Sequence, residues 1–452
     1  MQHRLILATE RGPVAGFSRQ LAGPDGFALR CAQDCAQPHR RANACSRMYH
    51  SGERAGYGPR GDLRNLCNRR DGVSGWAVVR AALKPEKNFM KRHPFGVMVV
   101  AIGLTFGSSS PRAADRPEPL WAYGFATPPA PGDKAVPQAM PSRKLRPNED
   151  PDEQTKLRHV AGSTAAYSRV DVRDGGNVID WFPGDHPPMS PIIAHGPASL
   201  GPASRGCASC HLPTGKGRPE NAPVTGLPVS YFIRQMEDFR SGVRVSADPR
   251  KPNTPTMGVL AKAMTDEEIR TSAEYFGAMA WTPWTRVIET DLVPKTRIVG
   301  NLFLAIEQTR TEPIAGRILE MPENEEQAEG LRNPRSGFVA YVPVGSIKKG
   351  KSLVTTGGMT VVDGEIVPGK TVACATCHGP DLMGLADVPG IAGRSPSYLV
   401  RQLYDLQQGA RKGPSAPLMM PVVAQLTGED FVAIAAYVTS LVPPAVGSGD
   451  AR

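Results

Sequence analysis

The chain has 452 residues, a formal net charge of +10 and a 40% share of hydrophobic residues, long enough for two or more folded domains. The positive charge is uneven: residues 1–89 hold 15 Lys or Arg against 7 Asp or Glu, while residues 115–452 carry a net charge of −1. The overall positive charge is therefore no sign of nucleic-acid binding by the part that can fold, and no nucleic-acid partner is expected.

In chain order, residues 1–89 are Arg-rich, Gly-rich and aperiodic, and read as a mis-annotated or disordered N-terminal extension. They contain Cys31, Cys35, Cys45 and Cys67, with no histidine at the spacing a zinc finger needs. From Met90 the pattern changes. Lys91-Arg92-His93 is basic, Pro94 to Phe106 is apolar, and Gly107 to Ala114 is small and polar, which makes residues 90–114 a secretory signal peptide. Its apolar run falls short of the roughly 20 residues of a membrane-spanning helix. Translation is therefore expected to start at Met90, with export to the periplasm and no membrane span after cleavage.

Residues 115–160 form a Pro-rich approach segment, expected to be extended or loosely wrapped. The stretch Asp180-Trp181-Phe182 to His186 and Met189 then concentrates aromatic and ligand-type side chains. It reads as a tight loop that packs Trp181 and Phe182 on the edge of the group bound by the motifs that follow, or else as a distal-face group or second metal site.

Two copies of one motif follow: Cys207-Ala208-Ser209-Cys210-His211 and Cys374-Ala375-Thr376-Cys377-His378. Thiols three positions apart can reach both vinyl groups of one porphyrin while the adjacent imidazole turns under the iron, so each motif reads as a covalent haem c site. A zinc site or a redox dithiol would also use the cysteines, but a histidine directly after the second cysteine in both copies favours haem. Every cysteine after Met90 lies in these motifs, leaving none for disulfides.

The motifs sit in a longer repeat. At an offset of 167 residues, Cys207 meets Cys374, Gly226 meets Gly393, Ser230-Tyr231 meets Ser397-Tyr398, Arg234-Gln235 meets Arg401-Gln402, and Arg244 meets Arg411. The first copy then has five extra residues, and at an offset of 162 Met257 meets Met419, Thr265 meets Thr427 and Tyr275 meets Tyr437. Each of these methionines precedes a helix start marked by a Thr cap and an acidic partner, Thr265 with Glu268 and Thr427 with Asp430. Met257 and Met419 are the candidates for the second axial ligand of each iron, expected on loops just upstream of those helices. Met420 rivals Met419, and Met264 reads as core filler.

On these motifs, and on the closing runs Val432-Ala433-Ile434-Ala435-Ala436-Tyr437 and Ser272-Ala273-Glu274-Tyr275-Phe276, the chain resembles a tandem di-haem class I c-type cytochrome. The resemblance implies an all-α fold: a first cytochrome c domain over 161–283, a second over 345–445, and a tail over 446–452. It implies an opening helix over Gly345 to Leu353 in the second copy, with a weaker match over Val172 to Ala203 in the first. It also implies two covalently attached haem c groups with iron ligated by His211 and Met257, and by His378 and Met419. The imidazoles would be oriented by carbonyls near Pro389 and, more loosely, Pro223. Tyr231, Arg234, Tyr398 and Arg401 would reach propionates or pack between helices.

Residues 284–344 are too long for a bare linker. Arg286 to Glu289, Arg317 to Glu320 and Phe338 to Val342 read as short strands of a hairpin-like strap over both lobes, with a polar loop over Pro322 to Arg335. The expected function is a periplasmic electron carrier, with no catalytic residues. Its donor would be a dehydrogenase or membrane complex, and its acceptor an oxidase or reductase. The alternatives are a di-haem enzyme, either a peroxidase or a thiosulfate-type dehydrogenase, and a haem subunit of a periplasmic dehydrogenase. His186 or His195 in place of Met257 would favour the enzyme.

Overall fold

The computed structural model describes residues 118–138, 145–307 and 310–442. The N-terminal extension, the signal peptide and the C-terminal tail expected from the sequence lie outside them. No single helix among the described residues is long and apolar enough to cross a membrane.

From its CxxCH motif onward the first copy builds four helices: α1 (Cys207–His211), α2 (Val229–Ser241), α3 (Asn253–Ala263) and α4 (Asp266–Gly277). In α2, Phe232 and Met236 are spaced by one turn and both are buried. The helix stops at Gly242, whose φ of 79° suits a residue without Cβ. The expected capping box starts α4: the Thr265 side chain accepts from the Glu268 amide, and the Glu268 carboxylate accepts from the Thr265 amide. Ile269, Ala273 and Phe276 line the buried face of α4 and close a core with Phe232 and Met236. No long helix precedes α1 among the described residues; that stretch holds the four-residue helices Arg169–Val172 and Pro191–Ala194 and short 3₁₀ segments at Pro183–Asp185 and Ala198–Ala203, as its Gly and Pro content foreshadows.

Between the copies, β1 (Thr285–Glu289), β2 (Leu319–Pro322) and β3 (Phe338–Val342) form one sheet with β3 in the centre. β3 pairs antiparallel with β2, Leu319 opposite Tyr341, and parallel with β1, Thr285 opposite Phe338. The strap has the expected strands but is not a simple hairpin, since it also holds two antiparallel pairs (Leu292–Pro294 with Thr311–Pro313, Thr296–Val299 with Leu302–Ala305); the expectation of all-α domains is corrected inside the second copy, where Thr360–Val362 pairs with Glu365–Val367 and Gly384–Leu385 with Val388–Pro389. Continuous apolar residues explain the sheet: Phe338, Val339, Ala340 and Val342 are all buried. The stretch expected to be a loop contains one π-helical turn, Glu326–Gly330.

The second copy contains α5 (Ser346–Thr356), α6 (Ala375–His378), α7 (Pro396–Gln407), α8 (Ala416–Val423) and α9 (Gly428–Ser440). α5 is the expected opening helix, and Thr427 with Asp430 forms the second capping box at the start of α9. α5 and α9 approach so closely that a Cβ on Gly350 would lie 1.9 Å from the Ala433 carbonyl oxygen. Glycine is required there by contact and not by backbone angle.

Polar contacts fasten the strap and both lobes. The buried Glu320 carboxylate of β2 accepts from the Ser395 hydroxyl (2.8 Å) and the Ser397 amide (3.1 Å) at the start of α7. The guanidinium of Arg332 donates to the Ser209 carbonyl on α1 (2.9 Å). The approach segment is docked, contrary to the expected loose wrapping: Tyr123 is buried and donates to Asp405 Oδ1 (2.6 Å), and the Gln138 amide donates to Thr256 Oγ1 (2.8 Å).

Candidate functional site

Cys207, Cys210, His211 and Met257 line one cavity of about 1340 Å³, counting its mouth. Four residues separated by up to 50 positions converge because α1, α2, α3 and α4 wrap around that space. Its walls are apolar, with Phe232, Leu260 and Phe276 among them. The mix of apolar walls with a few polar groups is that of a site for a largely apolar organic ligand.

The His211 imidazole is fixed by its Nδ1, 2.8 Å from the Ala222 carbonyl oxygen, which leaves Nε2 for a metal. Burial holds this imidazole below the usual histidine range, opposed by that hydrogen bond, so the ring is neutral as ligation requires. His378 repeats the arrangement, with Nδ1 2.7 Å from the Pro389 carbonyl oxygen and its titration likewise lowered by burial. Both carbonyls lie eleven residues beyond their histidine. The expectation of Pro389 is met, whereas in the first copy the acceptor is Ala222 and not Pro223. The repeat itself predicts this, since 222 and 389 are one offset apart.

At the second motif, Cys374 and Met419 are half-buried and pack on one core, while Met420 is 40% exposed. This site is the more open. Cys377 is exposed, and Val361, Ile366, Leu385 and Leu418 of the same copy are each more than half exposed, apolar surface of the kind a bound partner or cofactor covers. Burial pushes the Cys207 and Cys374 thiols up to about 11, so both are protonated at neutral pH.

Several expectations are corrected. Met257 and Met419 sit within helices α3 and α8, not on loops. Trp181 and Phe182 do not line the cavity. They pack with Val160, Val172 and Leu331, and the Trp181 indole donates to the Leu331 carbonyl (2.7 Å). His186 and His195 stand outside the cavity as well: His186 lies against the Tyr275 hydroxyl (3.0 Å) and Asp180 (3.2 Å), and His195 against the Gly176 carbonyl (3.0 Å). Tyr231, Tyr398 and Arg401 do line it, but Arg234 pairs with Asp387 (3.0 Å) and does not.

Sequence reasoning missed Lys251. It comes from the five-residue excess of the first copy, lines the cavity at 3% exposure, and its Nζ has no hydrogen-bond partner. Burial drives its titration well below the lysine range. Such burial favours the neutral amine, which would take up its charge beside an acid group, and haem c carries two propionates. The unpartnered amine, the thiol pair, the neutral imidazole and the thioether together fit that cofactor.

Comparison with known proteins gives the family. The family model described as Cytochrome c matches residues 348–442. Cytochrome c-554(548) of Halomonas halodenitrificans is 42% identical over 72 residues, 16% of this chain and 87% of that protein. The chain belongs to the cytochrome c family. Cytochrome c4 of Pseudomonas aeruginosa is 22% identical over 256 residues, 55% of this chain and 92% of that relative. A thiosulfate dehydrogenase electron acceptor of Stutzerimonas stutzeri is 41% identical over 85 residues, 18% of this chain, but the match spans only 38% of that protein's length. As a cytochrome c with two CxxCH motifs, the chain is a di-haem electron-transfer protein with covalently bound haem c.

Proposed function

We propose that this cytochrome is a periplasmic electron carrier whose two irons are each held between an imidazole and a thioether, His211 with Met257 and His378 with Met419. The haem-binding domains would be residues 161–283 and 345–445, joined by the strap 284–344 and exported through the signal at 90–114. The observation that carries the reading is the single cavity lined by both cysteines, the oriented His211 and Met257. Haem c, when bound, supplies one-electron redox chemistry.

The chain's own residues bind, orient and exclude. The cysteines anchor the porphyrin, the carbonyls of Ala222 and Pro389 fix the two ring angles, and a methionine on each helix would close the sixth position against small molecules. Phe232 and Phe276 keep the first site apolar, which favours the less charged reduced iron. His186 and His195 are held elsewhere, which supports the carrier over a peroxidase or thiosulfate-type dehydrogenase. Partners would be a donor dehydrogenase or membrane complex and an acceptor oxidase or reductase, docking weakly where a haem edge is exposed. The more open second site is the better candidate for that contact.

The test is the oxidised protein's near-infrared spectrum, followed by titration with peroxide. A sulfur-to-iron band for both haems and no reaction with peroxide are expected. Peroxide binding at either iron would replace the carrier with an enzyme. The export assignment is checked separately by mass spectrometry of the periplasmic protein, where peptides from before Met90 would overturn it.

A further inference from the structure

The loops that orient the two imidazoles meet at one side chain. Arg394, immediately before α7, is 3% exposed and belongs to the second copy. Its Nε donates to the Gly390 carbonyl (2.6 Å), next to Pro389, which holds His378. Its two terminal nitrogens cross into the first copy and donate to the carbonyls of Pro223 (3.0 Å) and Thr225 (3.0 Å). Pro223 is next to Ala222, which holds His211. The guanidinium carbon Cζ lies over the Trp281 ring, 4.6 Å from its centre, and the Arg394 carbonyl accepts from Thr439 Oγ1 on α9 (2.7 Å), so the group is fixed from both copies.

The planar fork matters. A guanidinium offers donors in several fixed directions, which lets one side chain serve two loops at once, whereas an ammonium on a flexible stem is a point donor. The residue at the equivalent position of the first copy, one offset of 167 earlier, is Leu227, so the bridge exists once and cannot come from the repeat. Nothing about binding either porphyrin separately asks for it.

We propose that Arg394 is a positioning residue that couples the two proximal histidines, making the ring orientation and electronic character of each depend on a single buried cation. A partner's carbonyl or carboxylate bonded to a ligating imidazole sets its angle and basicity, and Arg394 fixes the chain one residue beyond both of those carbonyls. The inference rests on the reading of His211 and His378 as the iron ligands.

The experiment uses the holoprotein and begins with the wild type, where a pyridine haemochrome assay must give two haems per chain and two low-spin ferric signals in electron paramagnetic resonance. If it does not, the haem reading fails irrespective of Arg394. Arg394→Gln and Arg394→Lys are then compared. In both variants the g-values of both haems are expected to shift. In Arg394→Gln both midpoint potentials should also fall, because a buried cation bonded to both histidine-orienting loops is lost, while Arg394→Lys keeps its potentials closer to wild type.

A role confined to the second copy would move one haem only, and that result, or no movement, overturns the proposal. Should neither variant accumulate, wild-type protein labelled with [15N]arginine decides. One slowly exchanging guanidinium resonance should shift in two steps during a redox titration, once with each haem. A single step overturns the coupling.

Discussion

Arg244 and Arg411, which occupy equivalent positions in the two copies, pair with each other backbone to backbone in an isolated antiparallel bridge. Their guanidinium groups share the same two acceptors. Arg244 donates to Gln235 Oε1 (2.8 Å) and Gln402 Oε1 (2.9 Å), and Arg411 donates to Gln235 Oε1 (2.8 Å) and Gln402 Oε1 (3.2 Å). The glutamines are themselves equivalent positions, so four repeated residues form one closed ring of contacts between the lobes.

Removing one member should therefore weaken both halves. Arg411→Met leaves both glutamine oxygens short of a donor, and a loss of about 1–3 kcal/mol is expected from thermal unfolding of the holoprotein. The double variant with Gln235→Leu should lose less than the sum of the two single changes.

Burial distinguishes the two adjacent methionines of α8. Met419→Leu should remove one of the two thioether bands in the near infrared, and Met420→Leu should leave both. The reverse outcome would assign the ligand to the exposed residue.

Lys251 has an unsatisfied Nζ in the first cavity, and the shorter loop of the second copy supplies no buried counterpart: its lysine, Lys412, is exposed. Because a fixed cation favours reduced iron, Lys251→Met should lower one midpoint in a spectroelectrochemical titration and leave the other near its wild-type value.

Asp430 gives the second copy an acid-sensitive joint. Its fully buried carboxylate is opposed by desolvation, but accepts from the Thr427 amide (3.0 Å) and Lys370 (2.9 Å) and faces Lys349 (3.0 Å), which lowers it from 3.8 to about 2. Since the folded value lies below the unfolded one, the stabilisation is present above pH ~4 and fades as pH falls towards ~2. Discounting for the partly exposed lysines, about 1–2 kcal/mol is at stake. Denaturant titrations from pH 6 to pH 2 should show this slope in wild type and lose it in Asp430→Asn.

Gly350 makes a steric prediction. A valine there must displace the Ala433 carbonyl or spread α5 from α9, at a cost of about 1–3 kcal/mol. Thermal unfolding should register the loss, and the first haem's spectrum should not change.

The local signals in the sequence carried far. The CxxCH motifs, the repeat, both capping boxes and α5 are patterns within a few residues of one another, and each appears where its residues place it. What failed was tertiary. Pro252, Pro255 and Pro417 suggest loops around the methionines, yet they occupy the cap or first turn of α3 and α8, where a missing amide hydrogen costs nothing. That position was a signal available for finding the helices. The parallel β1 and β3 pairing joins residues about 50 apart and leaves no local mark. Trp181 finds Leu331 across 150 positions, which no spacing rule anticipates. The residues gathered at the first cavity were singled out from the spacing of the motif and the register of the repeat, while the Arg394 contacts were not, since they join two loops that only folding brings together.

The ring made by Arg244, Gln235, Arg411 and Gln402 is self-complementary: each side presents what the other presents. Such symmetry is the geometry of a two-fold dimer, written here within one polypeptide. An excised second copy would carry the same patch without its mate, and a patch of that kind can be satisfied by another molecule of itself. The tandem chain thus keeps permanently, and at any dilution, a pairing that separate subunits would hold only at sufficient concentration.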